Sequence, residues 1–447
     1  MLKIESMNTE NKSNSSRRDF VKTSTLATGG ILTIPTSLKA FSIPKSNPTL
    51  KVALVGCGGR GSGALVNALQ ADSNIQLVAM ADVFQDRIDS SLKGINEHFG
   101  GQKVIELDKE FQLTGFDAYQ KAIDVADVVL LATPPGFRPI HFDYAVQKKK
   151  HVFMEKPLAT DSVGVRKIFD SGREALNKKL NVVVGLQRRY SKQYLELYSK
   201  VQEGMIGQIT GGQIYWNSSG VWVHGRKENQ SELEYQMRNW YYFNWLCGDH
   251  IVEQHIHNID VANWFIGEFP QTAQGMGGRQ VRNGKDHGEI FDHHFVEFTY
   301  PSGAVISSQC RHIPGCMNRV DEVLQGTKGT VFLGQGVIKD LNGKVLYQYQ
   351  NNEDSSPYQI EQDELFQAIR KENLINDVEH AAYSTLSAIG GRMATYSGQV
   401  INLKKALALD YRLVPDQMDW ESPAPVLPDE NGDYAIAMPG KTTYFKK

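Results

Sequence analysis

Cysteine is scarce in this chain, with four residues in 447, and this excludes a scaffold built on disulfides. The chain also has no excess of one charge, because 48 Lys and Arg face 50 Asp and Glu. That balance argues against a nucleic-acid partner, because proteins that bind nucleic acids usually carry a clear excess of basic residues. No apolar run approaches the ~20 residues that span a bilayer. With 41% hydrophobic residues, the chain can bury a sizeable core, and its length predicts two folded domains.

The first 48 residues are predicted to form a leader or arm rather than part of a domain. Twin arginines, Arg17 and Arg18, precede Phe20, Lys22 and the mildly apolar stretch 26–34. This pattern resembles a bacterial twin-arginine export signal, which implies the Tat export machinery as a partner and a periplasmic location. The alternative is a basic N-terminal arm on a cytoplasmic protein. Residues 38–40 match a cleavage site only loosely, so the leader is either removed or retained.

A glycine-rich turn follows the short β-branched run 50–55 and precedes a helical pattern. This order of strand, turn and helix is the context that a dinucleotide-binding fingerprint requires. The first glycine allows a tight turn, the second lets the backbone approach a pyrophosphate, and the third lets helix and strand pack closely. The predicted cofactor residues of this turn are Gly56, Gly58, Gly59, Arg60 and Gly61.

An acid at the end of the second predicted strand indicates which dinucleotide binds. Asp82 follows Gly61 by 21 residues, where a carboxylate accepts hydrogen bonds from ribose hydroxyls and repels a 2′-phosphate. The cofactor is therefore predicted to be NAD rather than NADP, although Arg87 softens this preference. The alternative is that Asp82 caps a helix. Thr133 and Pro134 end another strand at the same edge, and we predict a doubly wound Rossmann domain over 49–180.

A series of motifs over most of the chain resembles the Gfo/Idh/MocA oxidoreductases. Its members are the glycine turn, Thr133-Pro134, Glu155-Lys156-Pro157, residues 185–190, 204–207, 249–260, 326–330 and 391–398. The resemblance implies hydride transfer between a nicotinamide and a carbon bearing a hydroxyl or ketone. It also implies an N-terminal Rossmann domain and a C-terminal α+β domain with a large, mainly antiparallel open sheet. We further expect a homo-oligomer, either a dimer or a tetramer.

The resemblance assigns roles to residues of two motifs. Lys156 would lie beside the nicotinamide and hydrogen-bond the reacting oxygen, while Glu155 would support the cofactor region. The family's acid and histidine, four residues apart, map onto Glu253 and His257, with His257 as the general base and the acid orienting it. Two departures put the pocket's shape in doubt, because the acid is Glu where Asp is common and His255 stands where many members have Gly.

The histidine-rich segment also has the spacing of one helix face. His250, Glu253, His257 and Asp260 fall on that face if the helix is continuous, and His250 becomes a candidate substrate contact. His250, Glu253 and His257 also offer an alternative metal site. That site could recruit ligands from His287, Asp292, His293 and His294. We predict no metal, since buried or solvated histidines explain most such stretches and the family's reaction needs none.

The rest of the chain is predicted to bind substrate. Short alternating runs within 211–333 predict the antiparallel sheet, which we place in a domain over 181–412 with a polar tail over 413–447. Trp240 is a candidate for stacking on a sugar ring, and its alternative is an aromatic core or a subunit interface. Arg188, Arg189 and Tyr190 are candidate substrate contacts. The alternative for the two arginines is a cap on the domain junction.

These patterns together predict an exported NAD(H)-dependent oxidoreductase for a sugar, glycoside or cyclitol. Because the periplasm supplies little free NAD, we expect the cofactor to be tightly bound. The first alternative is an NAD-dependent glycosidase that oxidises C3 transiently and eliminates the glycosidic group. Less favoured alternatives are a metal-dependent lyase or isomerase and a non-catalytic NAD-binding protein.

Overall fold

The computed structural model describes residues 48–100, 105–350 and 355–445. The predicted export leader lies almost wholly in residues 1–47, outside this described part. The described residues all belong to one unit by their contacts. Across the ranges that the structure describes, none of the helices combines the length and apolarity of a membrane span.

The first half of the chain forms a six-stranded parallel sheet. Its strands are β1 (Leu50–Val55), β2 (Ile75–Asp82), β3 (Gln112–Thr114), β4 (Val128–Leu131), β5 (His151–Met154) and β6 (Val182–Val184). Their spatial order is β3-β2-β1-β4-β5-β6, so the chain changes direction across the sheet between β1 and β4. All residues of β4 and β6 are buried, as in a sheet covered on both faces. The predicted doubly wound fold is confirmed.

Helices cover both faces of this sheet. They are α1 (Gly59–Ala71), α2 (Gln85–His98), α3 (Ala118–Val125), α4 (Arg138–Gln147) and α5 (Ser162–Asn177). Leu65 of α1 packs with Leu54 on one face. On the other face, Ile123 of α3 and Phe142 of α4 pack with Val129. These burials fix the carboxyl ends of β1 and β4 beside the start of α1, where such folds bind ligands.

The second half of the chain contains a nine-stranded, mainly antiparallel sheet. Its strands are β7 (Ile209–Ser218), β8 (Thr272–Gly278), β9 (His293–Thr299), β10 (Val305–His312), β11 (Arg319–Gly326), β12 (Gly329–Phe332), β13 (Val337–Asp340), β14 (Val345–Gln348) and β15 (Ile401–Asn402). Their order is β14-β13-β12-β11-β7-β10-β9-β8-β15, and only the β7–β10 pair among these strands is parallel. Alternate residues of β9 are buried, as the alternating sequence predicts. The predicted second domain is confirmed in architecture.

One face of this sheet packs on helices. The helices of this half are α6 (Lys192–Gln202), α7 (Glu232–Arg238), α8 (Asn244–Cys247), α9 (His250–Glu253), α10 (Ile256–Ile266), α11 (Pro357–Arg370), α12 (Val378–Ser397) and α13 (Leu403–Ala408). Ile259 of α10 and Met393 of α12 lie in one cluster with Val296 and Phe298 of β9. The helices thereby hold the histidine-rich segment against the sheet.

The boundary between the halves differs from the predicted one. Strand β6 belongs to the parallel sheet, although it lies after residue 180. Helix α11, from late in the chain, packs Leu365 and Phe366 on one face of that sheet. Helix α12 contributes Val378 and Ala381 to the other face. The Rossmann layer is therefore completed by segments that the chain supplies almost 200 residues later.

The tail after residue 412 contains no helix or strand within 413–445, but it packs on the fold. Ala424 and Tyr434 are buried in a cluster with Phe243 and Trp245. The description of this segment as a polar tail is therefore incomplete, because its apolar side chains complete a core.

The histidine-rich segment is not one continuous helix, and this prediction is wrong. Helix α9 ends at Glu253 and α10 begins at Ile256. The backbone N–H of His255 donates to the carbonyl of His250, five residues back, at 3.1 Å. This bond inserts one extra residue into the turn. Asp260 consequently does not share a face with His250, and it binds Arg189 instead.

Candidate active site

The glycine turn lies between β1 and α1 and shapes one wall of a cleft. Gly56 has φ +95°, and a Cβ there would lie 2.5 Å from the Thr133 backbone nitrogen. A Cβ on Gly61 would lie 2.0 Å from the Gly56 carbonyl oxygen. Gly58 and Gly59 have nothing within 4 Å on that side, so their backbone faces open space. Because α1 begins at Gly59 without a side-chain cap, its first N–H groups are free to bind phosphates.

Asp82 ends β2 and lies beside the glycine turn. Its two carboxylate oxygens accept the backbone N–H of Cys57 at 2.8 Å and of Phe84 at 3.0 Å. Burial raises the pKa of Asp82 in spite of these donors. The alternative that Asp82 caps α2 does not hold, since Phe84 occupies the cap position. The carboxylate and Arg87 both line the cleft.

The cleft has a volume of about 550 Å³ and is closed partly by the second domain. Trp222, His224, Arg238 and Trp240 line it from that side. Arg238 forms two ion-pair contacts to Asp86 of α2, at 2.9 and 3.0 Å. We call the segment 222–240 the strap, because it crosses from the second domain to the cofactor cleft. The open backbone at Gly58, the acid at Asp82 and the elongated cleft fit a dinucleotide.

A smaller cavity of about 270 Å³ adjoins the cleft. Arg60, Ala132, Thr133 and Trp240 line both spaces, so the two spaces are neighbours. The smaller cavity is also lined by four of the predicted site residues, Glu155, Lys156, Glu253 and His257. These side chains come from the segment directly after β5, from α9 and from α10, and they meet at the edge of the cleft. Pro134 lines the cleft itself.

Lys156 is held by one residue of the second domain. Its Nζ donates to the backbone carbonyl of Glu253 at 2.6 Å and to the carboxylate Oε1 at 3.0 Å. The two side chains are only 10% and 12% exposed. The expected contact between Glu253 and His257 is absent from the hydrogen bonds of the described residues, so the acid positions the lysine rather than the histidine.

His257 lies on α10 and is buried. The ring of Trp216 lies 5.9 Å from it, centroid to centroid, in a stacked orientation. Burial, followed by the positive charges of Lys156 and Arg188, lowers the pKa of His257 well below its usual value. Its Nδ1 has no hydrogen-bond partner among the described residues. The imidazole is therefore neutral near pH 7 and can accept a proton.

Glu155 forms an ion pair that joins the glycine turn to α11. Arg60 donates to Glu155 at 2.6 Å and reaches Glu361 of α11 at 3.3 Å. A Cβ on Gly185 would lie 2.8 Å from a Glu155 carboxylate oxygen, so the glycine leaves room for the acid. Glu155 thus supports the cofactor turn through Arg60.

Four predicted substrate contacts do not line either space, and their contacts with substrate stay a prediction. Arg188 pairs with Glu322, Arg189 pairs with Asp260, and Tyr190 donates to Asp377 at 2.6 Å. The fourth, His250, is fully buried beside Asp249. These side chains do not line the cleft or the smaller cavity. The arginines instead tie the motif at 187–190 to buried acids of the second domain.

The residues of the alternative metal site do not come together as their spacing in the sequence indicated. His250 is turned away from the cavity that Glu253 and His257 line. Asp292 accepts three backbone N–H groups from 280–282, and His293 contacts Asp292. His294 lies with Asp249 and His250 instead.

Sequence reasoning missed several lining residues. Gln254 borders the smaller cavity and could have been found, since it adjoins Glu253. Arg138 and Tyr358 line the same cavity but carry no motif. Arg138 is buried and donates to the carbonyls of Leu131 and Thr133, which shapes the loop after β4.

Relatives by sequence include two dehydrogenases and a hydratase. Inositol 2-dehydrogenase of Salmonella typhimurium (strain LT2) is 29% identical over 52% of this chain and 59% of the relative. That of Rubrobacter xylanophilus is 27% identical over 63% and 70%. The 2,7-anhydro-N-acetylneuraminate hydratase of Escherichia coli (strain K12) is 25% identical over 46% and 51%. The matches thus span only 59% of the first Salmonella relatives.

Solved structures share the fold. Scyllo-inositol dehydrogenase from Lactobacillus casei, with bound NAD(H) and scyllo-inositol, superposes with a TM-score of 0.60 at 18% identity. The match covers 80% of this chain and 99% of that one. The aldose-aldose oxidoreductase from Caulobacter crescentus gives a TM-score of 0.60 at 16% identity, covering 79% and 99%.

Two family models match in succession. "Oxidoreductase family, NAD-binding Rossmann fold" matches residues 50–185, and "Oxidoreductase family, C-terminal alpha/beta domain" matches residues 198–398. Together they cover the parallel sheet, every strand of the second sheet except β15, and every side chain that meets at the smaller cavity. The chain therefore belongs to the Gfo/Idh/MocA oxidoreductase family, with the family's NAD-binding domain followed by its C-terminal α/β domain.

Proposed function

We propose that this protein is an NAD(H)-dependent oxidoreductase acting on a CH–OH group of a sugar, glycoside or cyclitol. The observation that carries the proposal is the convergence of Lys156 and His257 in a small cavity that adjoins the cofactor cleft. A cation and a neutral imidazole beside a dinucleotide site are the groups that alcohol oxidation needs.

The chain's own residues would hold the cofactor in the cleft. The free N–H groups at the start of α1 suit the pyrophosphate, and Asp82 suits the ribose hydroxyls. When bound, the nicotinamide supplies the acceptor or donor of the hydride. The strap covers the cleft, which supports the expectation that NAD is held tightly.

Lys156 and His257 would divide the work on the substrate oxygen. The Lys156 ammonium stabilises negative charge on that oxygen, and Glu253 keeps the ammonium in place. The neutral His257 imidazole takes the hydroxyl proton. Trp240 lines both spaces and offers an apolar face to a ring substrate. The names of the inositol 2-dehydrogenase relatives support a polyhydroxylated substrate.

The proposal is tested by identifying the nicotinamide that co-purifies with the protein by mass spectrometry. A screen of inositols, aldoses and glycosides for nicotinamide absorbance changes then follows. Bound NAD with turnover of one substrate class is expected. Absence of NAD binding would overturn the proposal, and bound NAD without turnover would assign a non-catalytic role. Aglycone release from a nitrophenyl glycoside without net NADH would instead assign the glycosidase alternative.

Export, location and assembly are separate proposals that rest on the sequence. We propose Tat-dependent export to the periplasm, on the pattern around Arg17 and Arg18. Fractionation of cells that express the parent chain and the Arg17→Lys, Arg18→Lys double variant tests it, with retention of the variant in the cytoplasm expected. Light scattering of the purified protein tests the proposed dimer or tetramer.

A further inference from the structure

A buried cluster of metal-ligating side chains lies outside the catalytic cavity. Asp249 immediately precedes α9, His250 begins α9, and His294 lies on β9. One ligand atom from each falls within 4.8 Å of the others. All three side chains are fully buried, and none lines the cleft or the smaller cavity. The cluster is therefore a separate feature behind the active site.

The histidine nitrogens of this cluster are poorly satisfied. His250 Nδ1 lies 2.7 Å from Asp249 Oδ1, and His294 Nε2 lies 3.3 Å from Oδ2, but neither contact has hydrogen-bond alignment. The His250 Nε2 atom also has no partner among the described residues. Unpaired buried polar atoms are costly, so several in one place indicate a missing partner.

A fourth imidazole borders the cluster. The ring of His312, on β10, stacks on His250 with centroids 4.3 Å apart, and both its nitrogens are buried without a partner. Asp249, in contrast, accepts the Phe291 N–H at 3.0 Å and the Tyr396 hydroxyl at 2.5 Å. The carboxylate is thus anchored, whereas both nitrogens of His250 and the Nε2 of His294 have no hydrogen-bond partner among the described residues. The other ring nitrogen of His294, Nδ1, is held by the Thr395 hydroxyl at 2.9 Å.

The donor set suits one class of ligand. Two imidazoles and a carboxylate are the groups that bind zinc and related divalent transition ions, at bonds of about 2.0–2.2 Å. Such bonds put tetrahedral ligand atoms roughly 3.4 Å apart. The cluster therefore closes on an ion by side-chain movements of about an ångström. The three side chains fill three of the four tetrahedral positions, and their complete burial keeps substrate away from the fourth, so the site is structural rather than catalytic.

We propose that Asp249, His250 and His294 bind a structural divalent transition-metal ion, with zinc as the expected metal. The ion ties the start of α9 to β9, and α9 carries Glu253 at its other end. It therefore fixes the segment that positions Lys156. Asp249 has φ +72°, a conformation that a non-glycine residue keeps only where surrounding contacts impose it.

The experiment is elemental analysis of tag-free full-length protein after exposure to zinc and removal of free metal. About one zinc per chain is expected for the parent. The His294→Gln and His250→Gln variants are expected to lose it. The matched control is His287→Gln, a partly exposed histidine outside the cluster, and it is expected to keep zinc. No zinc in the parent, or full zinc in both cluster variants, would overturn the proposal.

A second measurement guards against variants that fail to fold. The parent protein loaded with Co²⁺ in place of zinc is expected to show the visible absorption of a tetrahedral site, with imidazole and carboxylate ligation. Octahedral cobalt spectra, or binding that a chelator removes without any change in thermal stability, would contradict a buried structural ion. The proposal does not depend on the proposed reaction, since metal content is measured whether or not NAD binds.

Discussion

A single neighbour, Glu253, provides two hydrogen-bond acceptors for the Lys156 ammonium. The Glu253 carbonyl and carboxylate both accept from its Nζ, at 2.6 and 3.0 Å. A buried ion pair contributes little net stability but fixes the geometry of its partners. The pair therefore places the ammonium at the cavity wall, with its charge available to a substrate oxygen.

The first prediction concerns this ammonium. Lys156→Met keeps the length of the side chain but removes the charge, so kcat is expected to fall by about 10²–10³-fold. NAD affinity should change little, since the charge acts on the substrate. Steady-state kinetics and NADH fluorescence titration measure the two effects. Lys404→Met, at an exposed position of α13, is the control, and equal kcat values for the two variants would contradict the assigned role.

The second prediction concerns the pH dependence that His257 imposes. Burial disfavours a positive charge on its ring most strongly, and four neighbouring groups, Lys156, Arg188, Arg60 and His255, oppose that charge further. Each effect favours the neutral form, so the pKa falls below the ordinary value of about 6.5. The acid limb of kcat/KM is therefore expected well below pH 6.5. An inflection at or above that pH that disappears in His257→Gln would show a charged imidazole.

The third prediction concerns cofactor choice. Asp82 lines the cleft beside Arg87, and its charge repels a 2′-phosphate. Asp82→Asn keeps an acceptor for the Cys57 N–H and removes the charge. The ratio of NADP to NAD dissociation constants is expected to fall by about 10-fold or more, equivalent to about 1.4 kcal/mol. The control is Asp89→Asn, an exposed acid on α2, the helix that carries Arg87. Its dissociation constants for NAD and NADP should match those of the parent.

Among the elements, the glycine turn and the histidine-rich segment show how far sequence reasoning reaches. The turn was predicted correctly because strand, glycines and helix are adjacent in the chain, so local geometry decides it. The histidine-rich segment was predicted wrongly, because helical periodicity assumes that every N–H bonds to the carbonyl four residues back. The bond from His255 N–H to the His250 carbonyl adds a residue to one turn. That bond depends on tertiary contacts, such as His255 with Ser308 on β10, which no local pattern contains.

The strap is the element that sequence reasoning did not identify. Arg238 ends α7, pairs with Asp86 and lies 3.8 Å from the centre of the Phe84 ring. Trp420 packs on Phe84 from the tail, with ring centroids 5.5 Å apart. These contacts join segments more than 100 residues apart beside the cleft that Asp82 and Arg87 line. Only the folded chain brings them together.

The fourth prediction tests the strap. Arg238→Ala removes the ion pair with Asp86, a second ion pair with Glu234 of its own helix and one cation–π contact. Each is worth up to about 1 kcal/mol at partly exposed sites. The rate of NADH release, measured by stopped-flow displacement, is expected to rise by roughly 5–10-fold. Arg173→Ala, an exposed arginine of α5 that pairs with Asp170, should release NADH at the parent rate. An unchanged rate for Arg238→Ala would show that the strap does not retain the cofactor.

At the scale of the whole molecule, the two domains share their cores. The two sheets and the order of their strands follow from alternation and motif order, which is why the fold class was predictable. The sequence does not predict that α11 and α12 cover the faces of the parallel sheet. Nothing in the sequences of these two helices indicates which sheet face each one packs against. Phe366 of α11 is 1% exposed and packs with strands of the parallel sheet. Loosening that contact therefore affects a core to which both ends of the chain contribute.

The last prediction is that the domains unfold together. All six tryptophans lie between residues 216 and 420, outside the parallel sheet, so their fluorescence reports the second domain and its contacts with the first, whereas circular dichroism reports both domains. The urea transitions by the two probes are expected to coincide. Phe366→Ala, which hollows the core of the parallel sheet, should lower the free energy of unfolding by about 3–5 kcal/mol in both probes. Leu176→Ala, at a position 45% exposed on α5, should leave both midpoints nearly unchanged. If Phe366→Ala shifted circular dichroism alone, the Rossmann layer would be an independent folding unit, and the helices from the end of the chain would be coverings rather than part of its core.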